Sequence, residues 1–150
     1  MTRQRFCLVG VLLMVVALLV AACGPAGSPA VGDAVAINEL PKNDKGYTDI
    51  SVQQLAKMLD DKTFTLVNVH IPYEGEIPQT DLFLPYNEIA AHLDQLPDKD
   101  APIVLYCRSG NMSTTAAKDL VSLGYTNVLE VDGGFTAWES AGYELLSRQE

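Results

Sequence analysis

From residue 47 onward, short apolar segments alternate with segments of helical periodicity. Runs such as 64–69 are apolar and β-branched, as in buried strands, whereas apolar residues in 112–123 recur at helical spacing. The pattern predicts strands at 47–50, 64–69, 82–84, 103–106 and 127–131, and helices at 51–60, 87–96, 112–123 and around Trp138. Alternation of this kind predicts an α/β domain with a roughly five-stranded, mostly parallel sheet that has helices on both faces.

A cysteine opens the polar loop between the strand predicted at 103–106 and the helix that follows it. Ligands of parallel sheets bind beyond the carboxyl ends of the strands, where Cys107 lies. The first amides of a helix have no carbonyl partners within it, and the helix dipole favours negative charge nearby. Gly110 allows a positive φ that turns loop amides inward. We therefore expect Cys107 to react as a thiolate; the alternative is a buried cysteine that merely ends a strand.

The N-terminus has the features of an export signal. Arg3 and Arg5 precede an apolar run over 6–22, and small residues stand immediately before Cys23. This junction resembles the lipobox of bacterial lipoproteins, which implies a signal peptide at 1–22 and a lipid on Cys23. An uncleaved membrane anchor is the alternative, because the run approaches the length that spans a bilayer. Either arrangement predicts an extracytoplasmic, membrane-anchored protein of the cell envelope.

The remaining composition restricts partners and cofactors. Without Arg3 and Arg5, eight basic residues face 19 acidic ones, a formal charge of −11, so nucleic acid is a poor partner. A Gly-, Pro- and Ala-rich segment predicts a flexible linker over 23–46, followed by one domain over 47–150. Within that domain Cys107 is the only thiol, and with His70 and His92 it does not provide a zinc ligand set. We predict no metal and no cofactor.

Three segments in the second half carry a family resemblance. They are Ile103 to Ser113, Gly124 to Val128 and Asp132 to Trp138. Together they resemble a single-domain rhodanese, a member of the sulfurtransferase family. The resemblance implies that Cys107 takes a sulfane sulfur from thiosulfate, or from a persulfide or polysulfide, and transfers it from a persulfide to cyanide or a thiol.

The same resemblance implies that the loop after Cys107 binds the sulfur donor. The residues concerned are Arg108, Ser109, Gly110, Asn111, Met112 and Ser113. Arg108 is suited to the sulfonate end of thiosulfate, although it could instead pair with a surface carboxylate.

Departures from the rhodanese pattern lie mainly in the first half. Asn68-Val69-His70 stands where rhodaneses usually have Asp-Val-Arg, and the segment 71–78 is shortened. His70 could orient a donor or shuttle a proton, or be purely structural. Met112 replaces an arginine of many relatives, so we expect weaker binding of anionic donors, and a persulfide or polysulfide donor is an alternative to thiosulfate. Glu74 and Glu76 are interpreted as solvated loop residues.

Two other functions compete with sulfur transfer. One is a non-catalytic sulfur carrier or protein-binding module, which the retained cysteine loop does not exclude. The other is a rhodanese-like phosphatase or arsenate reductase. A phosphatase loop would need arginine at the position of Ser113 and is usually one residue longer, so the sequence argues against it.

Overall fold

The computed structural model describes residues 37–147, and the predicted signal peptide and Cys23 lie outside them. The strands are β1 (Thr48–Ile50), β2 (Thr65–Asn68), β3 (Leu82–Phe83), β4 (Ile103–Tyr106) and β5 (Val128–Val131). The α-helices are α1 (Val52–Met58), α2 (Asn111–Ser122) and α3 (Gly134–Ser140), and 3₁₀ turns cover Ile37–Glu39, Ile89–Ala91 and Leu93–Gln95. Among the described helices, none combines the length and apolar character needed to cross a bilayer.

The five strands form one parallel sheet in the order β1-β5-β4-β2-β3. The predicted α/β architecture is confirmed. Strand β4 lies in the middle, with Leu105 opposite Val67 of β2 and Glu130 of β5. The chain therefore leaves β4 at the centre of the carboxyl edge, and Cys107 is the first residue beyond it.

Each face of the sheet is covered by helices, as the sequence predicts. Alternate residues of β4 point to opposite faces, so Leu105 and Cys107 pack with α2, whereas Val104 and Tyr106 pack with α1 and α3. The side chains of β4 on both faces of the sheet are almost fully buried. The sheet thus holds the start of the cysteine loop between two packed layers.

Local sequence signals set the ends of two helices. The Ser51 hydroxyl accepts the Gln54 N–H and the Gln54 side chain accepts the Ser51 N–H, which together form a capping box at the start of α1. Gly124 takes a φ of +90° after α2, as expected for the residue that ends a helix.

The helix predicted over 87–96 is wrong. Two 3₁₀ turns replace it, because Glu88 provides no side-chain cap and His92 leaves the helical region at φ −121° and ψ 29°. A segment of this length has little intrinsic helical stability, so packing of Ile89 and Leu96 into the core decides its conformation.

The end of the predicted linker lies against the domain. Ile37 and Leu40 pack against the core on the α1 and α3 face. The Lys42 Nζ donates to the Thr126 carbonyl at 2.6 Å, and the Asn43 N–H donates to the Tyr47 carbonyl at 2.7 Å. Residues 37–46 are therefore packed against the domain, although they precede β1.

Candidate active site

Cys107 is buried at the junction of β4 and the polar loop, with 1% of its surface exposed. Its Sγ accepts hydrogen bonds from the Gly110 N–H at 3.2 Å and from the Ser113 hydroxyl at 3.4 Å. Gly110 has a φ of +99°, so the predicted positive φ is confirmed and turns its amide toward the sulfur. Helix α2 begins at the next residue. The arrangement places donors around a sulfur anion.

A buried carboxylate lies behind the Ser113 hydroxyl. Glu130 of β5 is 1% exposed, and its Oε1 lies 2.5 Å from the Ser113 Oγ. Burial raises the pKa of Glu130 to about 7; the hydrogen bond from Ser113 opposes the shift, and the nearby Asp132 and Asp49 carboxylates add to it. The sulfur, the hydroxyl and the carboxylate therefore form one connected polar group under the loop.

Helix α3 fixes the backbone of the cysteine loop from the other side. The Phe135 N–H donates to the Cys107 carbonyl and the Thr136 N–H donates to the Arg108 carbonyl, each at 3.0 Å. Gly134 makes this approach possible, because a Cβ there would lie 2.0 Å from the Cys107 oxygen. Gly134 therefore allows α3 to dock on the cysteine loop.

One carboxylate links two of the sequence-predicted site residues. Glu74 Oε2 lies 3.4 Å from the Arg108 guanidinium and 3.3 Å from His70 Nε2. Arg108 is exposed, whereas His70 is buried with its ring edge against Phe135. Within the described residues, neither ring nitrogen of His70 has a hydrogen-bond partner, so the Glu74 contact is close without hydrogen-bond geometry. Glu74 is therefore part of the site's electrostatics and not merely solvated.

The other predicted loop residues differ in exposure. Ser109 and Asn111 are exposed, Met112 is half-buried against the core around α2, and Ser113 is fully buried. Met112 thus contributes apolar packing at the start of α2.

Two buried polar side chains hold the segment that carries Glu74. The Asn68 side chain donates to the Gly75 carbonyl at 2.9 Å and accepts the His70 N–H at 3.0 Å. The Tyr106 hydroxyl accepts the Ile77 N–H at 3.0 Å and is 2.7 Å from the Thr80 hydroxyl. Asn68 and Tyr106 thereby fix the backbone of the segment that carries Glu74.

Asp49, Glu130 and Asp132 each place a carboxylate oxygen within 4.8 Å of the other two. Two of these residues are exposed, and exposed acidic groups often lie close together without an ion. Their effect in this site is electrostatic, because the carboxylates of Asp49 and Asp132 raise the pKa of the buried Glu130.

The rhodanese-like domain family model matches residues 51–141. This chain belongs to the rhodanese-like family. Among its relatives, the thiosulfate sulfurtransferase GlpE of Pseudoalteromonas translucida is 34% identical over 105 residues, covering 68% of this chain and 98% of that protein. A sulfurtransferase of Allochromatium vinosum is 35% identical over 103 residues, covering 66% and 94%. The chain is thus a rhodanese-type sulfurtransferase, which moves sulfur from a donor to an acceptor.

Solved rhodanese structures share the fold. A rhodanese-related protein from Thermoplasma volcanium superposes with a TM-score of 0.58 at 28% identity, covering 67% of this chain and 98% of that chain. The rhodanese-like domain protein from Staphylococcus aureus gives a TM-score of 0.56 at 27% identity, covering 66% and 98%. The sheet and helices described above are therefore those of the rhodanese family.

Sequence reasoning missed three residues that shape this rhodanese site. Glu130 stands in an apolar strand, where a charged residue at a buried position is itself a signal. Gly134 gave no signal of its approach to Cys107, because that approach depends on how α3 docks. Glu74 gave no local signal, because its contacts with Arg108 and His70 depend on how the segment 71–78 folds back.

Proposed function

We propose that this chain is an exported, membrane-anchored sulfurtransferase that carries sulfane sulfur as a persulfide on Cys107. The donor is thiosulfate or a persulfide or polysulfide, and the acceptor is a thiol or cyanide. The observation that carries the proposal is the buried Cys107 sulfur at the start of α2, held by the Gly110 N–H and the Ser113 hydroxyl.

The site suits a persulfide as well as a thiolate. The outer sulfur of a persulfide lies about 2 Å beyond Sγ, toward the first amides of α2, which have no carbonyl partner within the helix. Those amides and the positive end of the helix favour negative charge on the outer sulfur. The loop therefore stabilises the anion in both halves of the reaction.

Each half-reaction exchanges one sulfur bond for another. The Cys107 thiolate attacks the outer sulfur of thiosulfate, a new S–S bond forms, and sulfite leaves with the electron pair of the broken S–S bond. Cyanide carbon, or a thiolate, then attacks the outer persulfide sulfur. Thiocyanate or a new persulfide forms, and the electron pair of the broken bond returns to Cys107 as a thiolate.

The charges beside the cysteine loop affect which donor binds. Arg108 is available to a sulfonate only in competition with Glu74, which lies 3.4 Å from it. Met112 adds no positive charge. An organic persulfide donor, which carries a single negative charge, is therefore better suited to this site than the thiosulfate dianion.

The sulfur-transfer proposal is tested by loading and chasing the full chain. Thiosulfate and polysulfide are supplied separately, mass spectrometry follows the peptide containing Cys107, and cyanide is added to the loaded protein. We expect a gain of one sulfur that cyanide removes over repeated cycles, and no gain in Cys107→Ser. An adduct that cyanide does not turn over would instead indicate a carrier. Absence of an adduct from both donors would refute the proposal.

His70 is proposed to orient the donor through its ring nitrogens, neither of which makes a hydrogen bond within the described residues. His70→Ala should then lower kcat/KM for sulfur uptake about 10-fold while leaving the alkylation rate of Cys107 unchanged. His92→Ala is the matched control, since His92 lies by the 3₁₀ turns and pairs with Glu88. Equal rates in the His70 variant and wild type would assign a structural role.

Membrane anchoring is proposed from the residues around Cys23. Radiolabelled palmitate should be incorporated into the wild-type chain in the bacterial cell and recovered with the membrane fraction. Cys23→Ser should lose the label, whereas Cys7→Ser should keep it. Incorporation that persists in Cys23→Ser would overturn this part of the proposal.

A further inference from the structure

The Ser113 hydroxyl stands between an acidic side chain and the sulfur of Cys107. Its Oγ lies 2.5 Å from Glu130 Oε1, 3.1 Å from the Gly110 carbonyl oxygen and 3.4 Å from Cys107 Sγ. A hydroxyl has one hydrogen, so it makes a full hydrogen bond to only one of these acceptors at a time. Which one receives it depends on Glu130.

The surroundings of Glu130 make its proton exchangeable near neutral pH. Among the described residues, the carboxylates of Asp49 in β1 and Asp132 after β5 raise the pKa of Glu130, and Ser113 of α2 donates a hydrogen bond to it. Burial and these two carboxylates favour the protonated acid. Both protonation states are therefore accessible to the working protein.

We propose that Glu130 is a positioning residue whose protonation decides whether the Ser113 hydroxyl donates to the Cys107 sulfur. This inference rests on the proposed role of Cys107 as the sulfur-carrying nucleophile, and it adds a proton-controlled element to that site.

The two states follow from donor and acceptor counting. When Glu130 is ionised, it accepts the Ser113 hydrogen, and the sulfur keeps only the Gly110 N–H. When Glu130 is protonated, its O–H donates to the Ser113 Oγ, and the Ser113 hydrogen is free to turn to the sulfur. The protonated state also removes a negative charge from beside the sulfur anion.

Protonation of Glu130 and formation of a sulfur anion on Cys107 are therefore linked. Forming an anion on Cys107, whether thiolate or persulfide, raises the affinity of Glu130 for one proton taken from solvent. Loss of the anion releases that proton again, so the proton balance closes over each cycle and no electron is exchanged. Ionised Glu130 opposes formation of the sulfur anion.

Alkylation of Cys107 by iodoacetamide between pH 5 and 9 measures the sulfur anion without requiring sulfur transfer. Mass spectrometry of the Cys107 peptide from the full chain separates its signal from those of Cys7 and Cys23. We expect the wild-type rate to rise in two steps, because the protonation state of Glu130 changes how readily the sulfur anion forms. Glu130→Gln should give one step and alkylate about 3- to 10-fold faster at pH 8.

Two further variants separate the hydroxyl's role from a general effect of charge. In the Ser113→Ala background, adding Glu130→Gln should raise the rate at pH 8 by a smaller factor than in wild type, because only the direct effect of the charge remains once the hydroxyl is gone. Asp132→Asn removes a neighbouring acid that does not contact Ser113, and it should retain both steps. A single-step wild-type profile that superimposes on Glu130→Gln would overturn the proposal. So would an undiminished effect of Glu130→Gln in the Ser113→Ala background.

A measurement on the wild-type chain covers the case in which Glu130→Gln does not fold. The ¹³C resonance of the Glu130 carboxyl is titrated before and after iodoacetamide blocks Cys107. We expect its midpoint to move to lower pH after the block, because the neutral thioether no longer favours the proton. An unchanged midpoint would refute the linkage. Failure of thiosulfate and polysulfide to load Cys107 would instead refute the proposed function and leave this titration interpretable.

Discussion

Replacing Gly134 by alanine tests whether the docking of α3 positions Cys107. A Cβ at this residue would lie 2.0 Å from the Cys107 carbonyl oxygen and 2.8 Å from the Arg108 carbonyl carbon. Ordinary non-bonded contacts of carbon lie near about 3.5 Å, so α3 and the loop must separate by more than ~1 Å. The obstacle is backbone on both sides, which has no side-chain rotation to relieve it.

The expected loss of stability has two sources. A residue with a side chain at the φ of +53° costs about 1 to 2 kcal/mol. Separation also breaks the hydrogen bonds from Phe135 to the Cys107 carbonyl and from Thr136 to the Arg108 carbonyl, each worth about 0.5 to 1.5 kcal/mol. We expect Gly134→Ala to lower the free energy of unfolding by about 2 to 5 kcal/mol. A displacement of about 1 Å at Cys107 should slow sulfur uptake about 100-fold.

Gly142 provides the matched control. Its φ is +88°, and no heavy atom lies within 4 Å of the position that a Cβ would take. Gly142→Ala should therefore show the conformational cost of about 1 to 2 kcal/mol without loss of activity. Urea unfolding followed by circular dichroism gives the stabilities, and the rate of sulfur uptake on Cys107 gives the activities. If the two variants were equally stable and equally active, the argument that α3 holds the cysteine loop would be wrong.

Three other perturbations follow from single contacts. Tyr106→Phe leaves the buried Ile77 N–H without its partner and should lower the free energy of unfolding by about 1 to 3 kcal/mol. Its control, Tyr143→Phe, changes a half-buried ring packed on Trp138 and should alter the free energy of unfolding by less than about 0.5 kcal/mol. Equal urea midpoints for the two variants would contradict this expectation. Glu74→Gln frees Arg108 and should lower the KM for thiosulfate about 2- to 5-fold with kcat unchanged. Its control, Glu88→Gln, alters the pair with His92 and should leave the KM unchanged. An unchanged KM in Glu74→Gln would place Arg108 outside the donor site. Burial raises the pKa of Glu130 from 4.5 to about 7, so its stabilising contribution is complete below pH 4.5 and is lost as the pH rises through 7. Between pH 4.5 and pH 7 the free energy of unfolding of wild type should fall by roughly 3 kcal/mol relative to that of Glu130→Gln. Parallel curves of stability against pH for the two proteins would show that the pKa of the carboxyl is not perturbed.

Much of the fold was predictable because its signals are local. The hydrophobic pattern located all five strands, and the capping pair Ser51 and Gln54 located the start of α1. Gly110 and Gly124 marked backbone positions of positive φ from residue type alone. The segment 87–96 was misinterpreted as a helix, because its periodic apolar residues are buried equally well by two 3₁₀ turns.

The sequence by itself determined the order of the elements and placed a cysteine loop between β4 and α2. Apolar periodicity and glycine conformation act over a few residues, so a linear chain records them. Only the tertiary structure decided what surrounds the sulfur. Glu130 reaches Ser113 across 17 residues because β5 pairs with β4, and Glu74 reaches Arg108 across 34 residues because the segment 71–78 folds back to the loop that follows β4. Contacts of this range depend on strand order and packing, which leave no periodic pattern in the chain.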